Sequence, residues 1–374
     1  MNILFLVSSL QGGGAERVAA LLSNAWVDRG HDVTLMPTFS GRGECSYTLN
    51  SGVVVDYLAD HVNGNTSKLQ RLVVLRRHIR KTRPDVIVSF LPNVNIAALA
   101  ATIRTNIPVI ACERIHPPLM SPPLPRSYEL VRKWLYPRAA CVGVQTQTTR
   151  DWVAENIACA KLSVIANPVV LPLPAGPSKL SPDNILAKER KLVLAVGRLH
   201  ATKRLDMLIQ AFQRAQPESE WDLVILGEGE HRSEYVEGVA AAGWADRIHL
   251  PGFVGNLADW YTRADIFAMP SSCEGFPNVL LEAMAHDLPS ISFDIPAGPR
   301  DLTDGGQRGI LLPDQDHVPS MTTALQKLMQ DPDQRQQLGG RAGEVRDIYG
   351  LETILGQWDD CLADALASTG TSGT

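Results

Sequence analysis

Hydrophobic positions along the chain fall into two alternating patterns. Short, nearly continuous apolar runs are separated by longer stretches in which apolar residues recur every three or four positions. The first pattern is typical of strands buried on both faces, and the second of amphipathic helices. The alternation therefore predicts an α/β fold with parallel sheets. The predicted strands are residues 2–8, 31–39, 53–58, 85–90, 108–112, 141–145, 163–166, 191–196, 221–226, 248–250, 266–269, 289–293 and 309–312.

The chain is expected to contain two domains. Its 374 residues exceed what one ordinary hydrophobic core supports. A proline-rich stretch at residues 171–190 is typical of a linker, and it separates a first domain at 1–170 from a second at 191–350. A last helix is predicted at residues 351–366, and the tail at 367–374 is expected to be disordered.

Composition and charge narrow the class of protein. With 45% hydrophobic and 20% charged residues, the chain resembles a soluble globular protein, and no apolar run is long enough to cross a membrane. The six cysteines are scattered and the nine histidines form no ligand motif, so neither disulfides nor a metal site are expected. Residues 1–170 have seven more basic than acidic residues, and the remainder has twelve more acidic than basic. Only the first half would therefore favour an anionic partner.

The most informative stretch follows the predicted strand at residues 266–269. A loop containing Glu274 and Gly275 leads into a helix with Pro277 at its start. The free N–H groups and positive dipole end of such a helix favour an anion such as a diphosphate. Glu282 lies on the same helix face as Asn278, four positions earlier. From spacing alone, the two glutamates are equally well explained as a solvated loop residue and a surface helix residue.

Glycines follow two further strands. Residues 12–14 are all glycine, but the dinucleotide-binding fingerprint would need another glycine where Arg17 stands, and no acidic residue ends the next strand. In the second domain, Gly197 precedes Arg198 and Lys203, two cations placed to reach one diphosphate. The alternative interpretation is that both are exposed loop cations.

Together these segments resemble the retaining glycosyltransferases of family 4, and the resemblance covers nearly the whole chain. The motifs are GGGAER at 12–17, G-R-x4-K at 197–203, E-x7-E at 274–282 and a Gly-Pro segment at 298–301, in which Asp301 replaces the usual glutamate. The resemblance implies a GT-B fold, with two doubly wound Rossmann-like domains facing a cleft. It also implies that the helix at residues 351–366 crosses back onto the first domain.

The resemblance assigns roles to residues of the second domain. Glu274 would hold the donor sugar, Arg198 and Lys203 the departing diphosphate, and Glu282 the ribose hydroxyls. No metal and no other cofactor would be required. The complete donor-binding set would be Gly13, Gly14, Gly197, Arg198, Lys203, Gly252, Phe253, Val254, Glu274, Gly275, Phe276, Asn278, Val279 and Glu282.

In the first domain, the family places an active-site residue just after the strand at 108–112. His116, Arg114 and Glu113 are alternatives for this position. The candidates for catalysis are Glu274, Arg198 and Lys203 of the second domain, together with His116 and Glu113. His116 is equally interpretable as a loop histidine preceding two prolines. The acceptor-side residues would be Gly12, Glu16, Arg114 and His116.

Two basic segments of the first domain suggest contact with an anionic membrane surface. The predicted helix at residues 68–83 has seven basic and no acidic residues, and residues 126–138 combine cations with aromatic rings. The alternative is a helix packed on the core with a solvated basic face. A nucleic-acid partner is not expected, because no recognised module accompanies the charge. In the segment at residues 68–83, an apolar stripe lies beside the cations and consists of Leu69, Leu72, Val73 and Ile79. In the segment at residues 126–138, the cations and aromatic residues are Arg132, Lys133, Trp134, Tyr136 and Arg138.

The predicted activity is transfer of a hexose or N-acetylhexosamine from a nucleotide sugar, a UDP-sugar in the first instance, to a glycan acceptor with retention of anomeric configuration. The acceptor is expected to be linked to a lipid diphosphate, and the protein to lie at the cytoplasmic face of the cell membrane. One rival is a nucleotide-sugar epimerase of the same fold, which would need no acceptor. The other is a non-catalytic protein that binds carbohydrate or membrane.

Overall fold

The computed structural model describes residues 1–39, 45–62, 67–120, 123–215 and 220–370. The chain forms two compact units. The first comprises Met1–Asn167 and the segment from Glu352 onward, and the second comprises Pro168–Leu351. Each unit contains one parallel sheet covered by helices, so the predicted fold of two doubly wound α/β domains is confirmed.

The sheet of the first unit has seven strands. The strands pair in parallel in the order β3-β2-β1-β4-β5-β6-β7. The order reverses between β1 and β4, where ligands bind in open sheets of this type. The strands are β1 (Asn2–Val7), β2 (Asp32–Pro37), β3 (Val53–Val55), β4 (Val86–Phe90), β5 (Val109–Cys112), β6 (Cys141–Val144) and β7 (Leu162–Val164).

Five helices of this unit follow these strands or connect them. The second helix begins with a capping box, because the Ser67 hydroxyl accepts from the Gln70 N–H and the Gln70 side chain accepts from the Ser67 N–H. The same helix ends at Arg83 in a left-handed conformation. The helices are α1 (Gly14–Asp28), α2 (Lys68–Thr82), α3 (Pro92–Ala101), α4 (Arg126–Leu135) and α5 (Gln147–Asn156).

The second unit repeats the topology with six parallel strands. Their order is β10-β9-β8-β11-β12-β13, so the reversal falls between β8 and β11. The strands are β8 (Lys191–Val196), β9 (Trp221–Leu226), β10 (Ile248–Gly252), β11 (Ile266–Met269), β12 (Ser290–Phe293) and β13 (Ile310–Leu312). The helices are α6 (Leu205–Ala215), α7 (Arg232–Ala241), α8 (Leu257–Arg263), α9 (Asn278–Ala285), α10 (Pro299–Thr303), α11 (His317–Gln330), α12 (Pro332–Ala342) and α13 (Val345–Ile348).

The stretch predicted as a linker is attached to the second unit. The side-chain amide of Asn256 donates to the carbonyl of Leu180 at 3.0 Å and accepts from the N–H of Leu180 at 2.9 Å. The indole of Trp260 donates to the same carbonyl at 3.0 Å. These bonds satisfy the backbone of the segment, so at Leu180 it lies against the domain that follows.

The last helix, α14 (Leu351–Gly370), belongs from Glu352 onward to the first unit. Trp358 is buried, with its ring 5.6 Å from that of Trp26 and 6.3 Å from that of Phe90. At the helix surface, Arg29 pairs with both Glu352 and Asp359. Hydrophobic contact and charge thus hold the end of the chain to the first sheet, as the resemblance implies.

The helix also extends further than predicted. It continues to Gly370, four residues beyond the expected end, so the disorder expected from residue 367 is wrong for 367–370. Alanine and serine continue the helix here, and the hydroxyl of Ser368 donates to the carbonyl of Ala365. Residues 371–374 lie outside the described part of the chain. No helix among the described residues has both the length and the apolar character needed to cross a membrane.

Replacing Trp358 with alanine is expected to lower the free energy of unfolding by about 3–5 kcal/mol, because it leaves a cavity between Trp26 and Phe90. Urea unfolding followed by circular dichroism measures the change. The control is Gln357→Ala, an exposed position on the same helix. Equal unfolding midpoints for the two variants would contradict this account of how the helix is held.

Candidate functional site

In the second unit, two loops meet where the strand order reverses. One loop follows β8 and contains Gly197, Arg198 and Lys203, and the other follows β11 and contains Glu274. Because β8 and β11 are paired in parallel, their carboxyl ends lie side by side. The ammonium of Lys203 lies 2.5 Å from Oε1 of Glu274, so two motifs separated by 71 positions form one ion pair.

Further hydrogen bonds fix the two loops to each other. The N–H and the hydroxyl of Ser272 donate to the carbonyl of Thr202, at 2.8 and 3.1 Å. The stem of the Lys203 side chain runs past Gly197, where a Cβ would lie 3.8 Å from it. Arg198 is exposed, and its guanidinium has no hydrogen-bond or ion-pair partner in the described part of the chain. The pair of loops therefore holds Lys203 in place and leaves Arg198 open to an anion.

The helix after the second loop begins as predicted, with Pro277 directly before Asn278. Asn278 and Val279 are half-buried in its first turn. The backbone before the helix is closely covered, because a Cβ on Gly298 would collide with the ring of Pro277. Phe276 packs its ring 5.9 Å from that of Tyr349. Gly275 and Phe276 are thus held at a fixed position next to the helix end.

Glu282 lies deeper than its companion in the motif. Its exposed fraction is 2%, whereas the Glu274 side chain is 12% exposed. Oε2 of Glu282 accepts a hydrogen bond from the hydroxyl of Tyr261 at 3.2 Å. Glu282 is therefore an oriented carboxylate in the interior, and Tyr261 is a partner that the sequence pattern does not reveal.

Glycines bring the ends of three strands close together. The N–H of Gly197 donates to Leu226 and the N–H of Gly227 donates to Gly252, both at 2.9 Å. A Cβ on Gly227 would collide with the carbonyl of Gly197. Gly252 has φ +95° and is followed by Phe253, which is exposed, and Val254, which is buried. Gly227 was not among the predicted site residues, although a G-x-G directly after a strand is a usable signal.

In the first unit, the glycine loop after β1 is organised around Glu16. Gly12 and Gly13 have φ of +130° and +154°, and α1 begins at Gly14. The carboxylate of Glu16 accepts from the hydroxyls of Ser8 and Ser9, at 3.1 and 3.4 Å. It also covers Gly13, where a Cβ would collide with it.

Tyr47 completes this loop. Its hydroxyl lies 2.7 Å from both the N–H and the carbonyl oxygen of Gly13. Burial raises the pKa of Tyr47. Tyr47 lies in a segment without a periodic pattern, so no sequence signal identifies it.

Glu113, the first of the three candidates after β5, faces the interior. Its carboxylate accepts from the hydroxyl of Tyr136 at 2.5 Å and lies 3.7 Å from the guanidinium of Arg132. Burial raises the pKa of Glu113, while Arg132 and the Tyr136 hydroxyl act in the opposite direction. Asn95 extends the network by donating to the Tyr136 oxygen at 3.0 Å. Glu113 is therefore part of a buried polar network.

Arg114 and His116 occupy different surroundings. Arg114 donates to Asn167 and lies over the ring of Phe90, 4.1 Å from its centroid. Burial lowers its pKa to about 10. Nδ1 of His116 lies 3.1 Å from the hydroxyl of Thr149, and burial lowers the pKa of this histidine. At neutral pH, His116 is thus a neutral imidazole that can accept a proton.

The two basic segments differ from the predicted surfaces. In α2, Leu69 and Val73 are exposed, and Leu75 and Ile79 face the core. Arg76 caps the end of α3 by donating to the carbonyl of Ala101 at 2.6 Å.

In and after α4, the expectation that Arg132 and Tyr136 lie at the surface is wrong. Both are buried with Glu113, whose carboxylate lies 3.7 Å from the guanidinium of Arg132. Lys133, Trp134 and Arg138 remain exposed, and Arg138 stacks on Trp134 at 4.2 Å.

Comparisons with known proteins agree with this architecture. The family model described as "Glycosyltransferase Family 4" matches residues 12–171, and the one described as "Glycosyl transferases group 1" matches residues 190–331. Among solved structures, sucrose-phosphate synthase from Thermosynechococcus elongatus has a TM-score of 0.79 at 18% identity, covering 98% of this chain and all of that one. Anabaena Alr3699/HepE, in complex with UDP and glucose, has a TM-score of 0.75 at 19% identity, covering 97% of this chain and 99% of that one. These likenesses show the GT-B fold.

Two curated relatives match along nearly their full length. The amylovoran biosynthesis glycosyltransferase AmsD of Erwinia amylovora is 26% identical, over 96% of this chain and 99% of its own. A Campylobacter jejuni enzyme, named as an α-1,4-N-acetyl-D-galactosaminyltransferase acting on a diphospho-undecaprenol-linked glycan, is also 26% identical, over 97% and 99%. With both domains matched by family models and with relatives of this kind, the chain belongs to glycosyltransferase family 4.

Proposed function

We propose that this glycosyltransferase moves a hexose or N-acetylhexosamine from a nucleotide sugar to a lipid-diphosphate-linked glycan, with retention of anomeric configuration. The observation that carries the proposal is the meeting of Lys203 and Glu274 at the reversal point of the second sheet. One residue is suited to a diphosphate and the other to sugar hydroxyls. Their contact supports the proposal of a single site for both functions.

The donor is proposed to be a UDP-sugar. Breaking the bond between sugar and diphosphate leaves negative charge on the diphosphate, which must be stabilised as it develops. Lys203 and the unpaired guanidinium of Arg198 supply positive charge, and the first turn of α9 at Asn278 and Val279 adds its N–H groups. This set needs no metal ion. UDP is the nucleotide bound by the structural neighbour Alr3699/HepE.

Retention follows most simply from departure and attack on the same face of the sugar. A double displacement would instead require a carboxylate free to bond the anomeric carbon. Glu274 is held at 2.5 Å by Lys203, which suits it to bind hydroxyls more than to act as a nucleophile. In the same-face route, the leaving diphosphate oxygen lies next to the acceptor hydroxyl and can take its proton.

The acceptor is proposed to be linked to a lipid diphosphate at a membrane surface. Two Campylobacter jejuni relatives are named for substrates that contain diphospho-undecaprenol. The first unit exposes cations and apolar side chains together, among them Arg77, Arg80, Lys133 and Trp134. Such a mixture favours anionic lipid headgroups. Within this unit His116, neutral and only partly committed to Thr149, is the proposed acceptor-side residue.

Lys203→Ala and Glu274→Ala are each expected to lower the rate of transfer by about 100-fold or more, because each removes one charge from the reacting centre. The assay measures nucleoside-diphosphate release from UDP-, GDP- and ADP-sugars, with and without a bacterial lipid-linked glycan extract. The matched control is Lys191→Ala, which removes another paired lysine of the same unit, 2.7 Å from Glu220. Acceptor-dependent release and an unchanged product anomer, read by NMR, support the proposal.

Three results of this assay would contradict the proposal. Full transfer by both variants would show that the site lies elsewhere. Conversion of the donor sugar without any acceptor would identify an epimerase, and absence of both release and nucleotide binding would favour a binding protein.

His116→Ala is expected to lower transfer by about 100-fold while the fold is retained, because it removes a neutral imidazole that can accept a hydrogen bond from the acceptor hydroxyl and orient it for attack. Glu113→Ala is expected to act differently, lowering the free energy of unfolding by about 3–5 kcal/mol, since Arg132 would remain buried without its carboxylate. Transfer rates and urea unfolding are measured for both. If Glu113→Ala folded normally and lost only activity, the acceptor-side role would belong to Glu113.

Arg77→Ala combined with Arg80→Ala is expected to reduce binding to anionic vesicles. Each cation contributes about 1 kcal/mol near such a surface, so the loss should be roughly 30-fold in partitioning. Flotation with anionic and neutral vesicles measures it. The control removes two exposed arginines from other helices, Arg150→Ala with Arg341→Ala. Equal flotation with both lipid types, or equal losses in both double variants, would count against a basic membrane surface on α2.

A further inference from the structure

The first unit contains an apolar groove between α2 and α4. Its volume is about 280 Å³. Ala97 and Ala100 of α3 form its floor, Leu69 and Leu72 of α2 form one wall, and Val131 of α4 contributes to the other. Small residues on the floor and branched residues on the walls make a channel that is open to hydrocarbon.

The apolar surface continues from the groove to the outside of the protein. Leu69 is 69% exposed and Val131 is 42% exposed, although both line the groove. Leu130 and Trp134, on the same helix as Val131, are also largely exposed. Large apolar side chains gathered in one exposed area mark a binding surface more often than they mark ordinary solvent contact.

Two cations lie at one end of the groove. Both Lys68 and Arg71 line it, and both lie in the first turn of α2. The ammonium of Lys68 crosses to α4, 3.0 Å from the hydroxyl of Tyr128, and the guanidinium of Arg71 donates to the carbonyl of Phe39 at 3.1 Å. Both partners are neutral, and neither cation has an ion-pair partner among the residues that the structure describes. The first turn of α2 has no acidic residue, and Glu129 of α4 is exposed.

We propose that this groove binds the first part of the hydrocarbon chain of a prenyl diphosphate lipid, with the diphosphate at Lys68 and Arg71. The inference deepens the function proposed above, because the lipid would be the carrier of the acceptor glycan. A water molecule accounts for about 30 Å³ of liquid, so the groove holds roughly nine groups of that size, and a methylene is similar. A hydrocarbon chain of about two isoprene units fits in the groove. The part of the chain that extends beyond the groove would contact the exposed apolar residues next to it.

Charge favours the carrier lipid over an ordinary membrane phospholipid. The groove has room for one hydrocarbon chain and has two cations at its mouth. A lipid with a single hydrocarbon chain and a doubly charged headgroup matches both features. A phospholipid brings two chains and one phosphate, and the exposed arginines further along α2 are placed to meet such headgroups from outside. The groove and the outer basic face of α2 thus have different partners.

The test is a titration of the full chain with farnesyl diphosphate, below its micelle concentration, and with inorganic diphosphate. Ala97→Phe fills the floor of the groove, and the control Ala154→Phe places the same side chain on an exposed part of α5. Farnesyl diphosphate is expected to bind the unaltered protein at least about tenfold more tightly than inorganic diphosphate does. Ala97→Phe should remove this difference and Ala154→Phe should keep it.

A second variant tests the groove independently, in case Ala97→Phe does not fold. Leu69→Asp changes a mainly exposed side chain and places a carboxylate at the groove. This variant is therefore also expected to weaken the binding of farnesyl diphosphate at least about tenfold. Thermal unfolding checks both variants. In the transfer assay, Ala97→Phe should raise KM for the lipid-linked acceptor and leave UDP binding unchanged.

Three outcomes would overturn the inference. Equal affinity for farnesyl and inorganic diphosphate would show that the chain is not bound, and unchanged affinity in folded Ala97→Phe and Leu69→Asp would show that it is bound elsewhere. Weaker flotation of Ala97→Phe with anionic vesicles, with farnesyl diphosphate binding intact, would assign the groove to membrane phospholipid. Failure of the proposed transferase function is distinguishable, because the titration requires no transfer.

Discussion

The candidate site of the second unit depends on the pairing of β8 with β11. Strands that are neighbours in the sheet but distant in the sequence end at the same edge, and their loops meet there. The Lys203–Glu274 ion pair is the result. Exposed ion pairs contribute at most about 1 kcal/mol to stability, so this partly exposed pair matters chiefly for position. It holds a cation beside a carboxylate at the edge of the sheet where parallel α/β proteins bind ligands.

The glycines at this edge of the sheet also help to bring the loops together. A side chain on Gly227 would collide with the backbone of Gly197, so the loops after β8 and β9 approach more closely than other residues permit. Gly252 joins them through its carbonyl. At this edge, the backbones of neighbouring loops are in direct contact, with no side chain between them. The positions of the motif residues and of the glycines thus both follow from the strand order of this sheet.

The sequence predicted the fold well because its main signals are local. Continuous apolar runs and amphipathic stretches alternate, and the strands and helices follow them. The site was harder to predict, because the sequence gives the charge of a residue but does not show whether its side chain faces the core or the solvent. Arg132 lies among surface-like residues of α4, yet its partner Glu113 comes from the end of β5. Tyr47 and Tyr261 are missed for a related reason, since each acts through a contact with a distant segment.

Arg132, which turns inward, changes the physical basis of the proposed membrane contact. The first domain has a large basic excess, but the charge of Arg132 is offset by Glu113, whereas Arg76 keeps its charge because its partner is the neutral carbonyl of Ala101. At about 1 kcal/mol for each cation near an anionic surface, the loss of Arg132 removes roughly 1 kcal/mol of attraction. Electrostatic attraction alone would then give weak attachment, and stable attachment would need a second contribution. The exposed apolar residues Leu69, Leu130 and Trp134 would supply one, because they lie on the same two helices as the remaining cations.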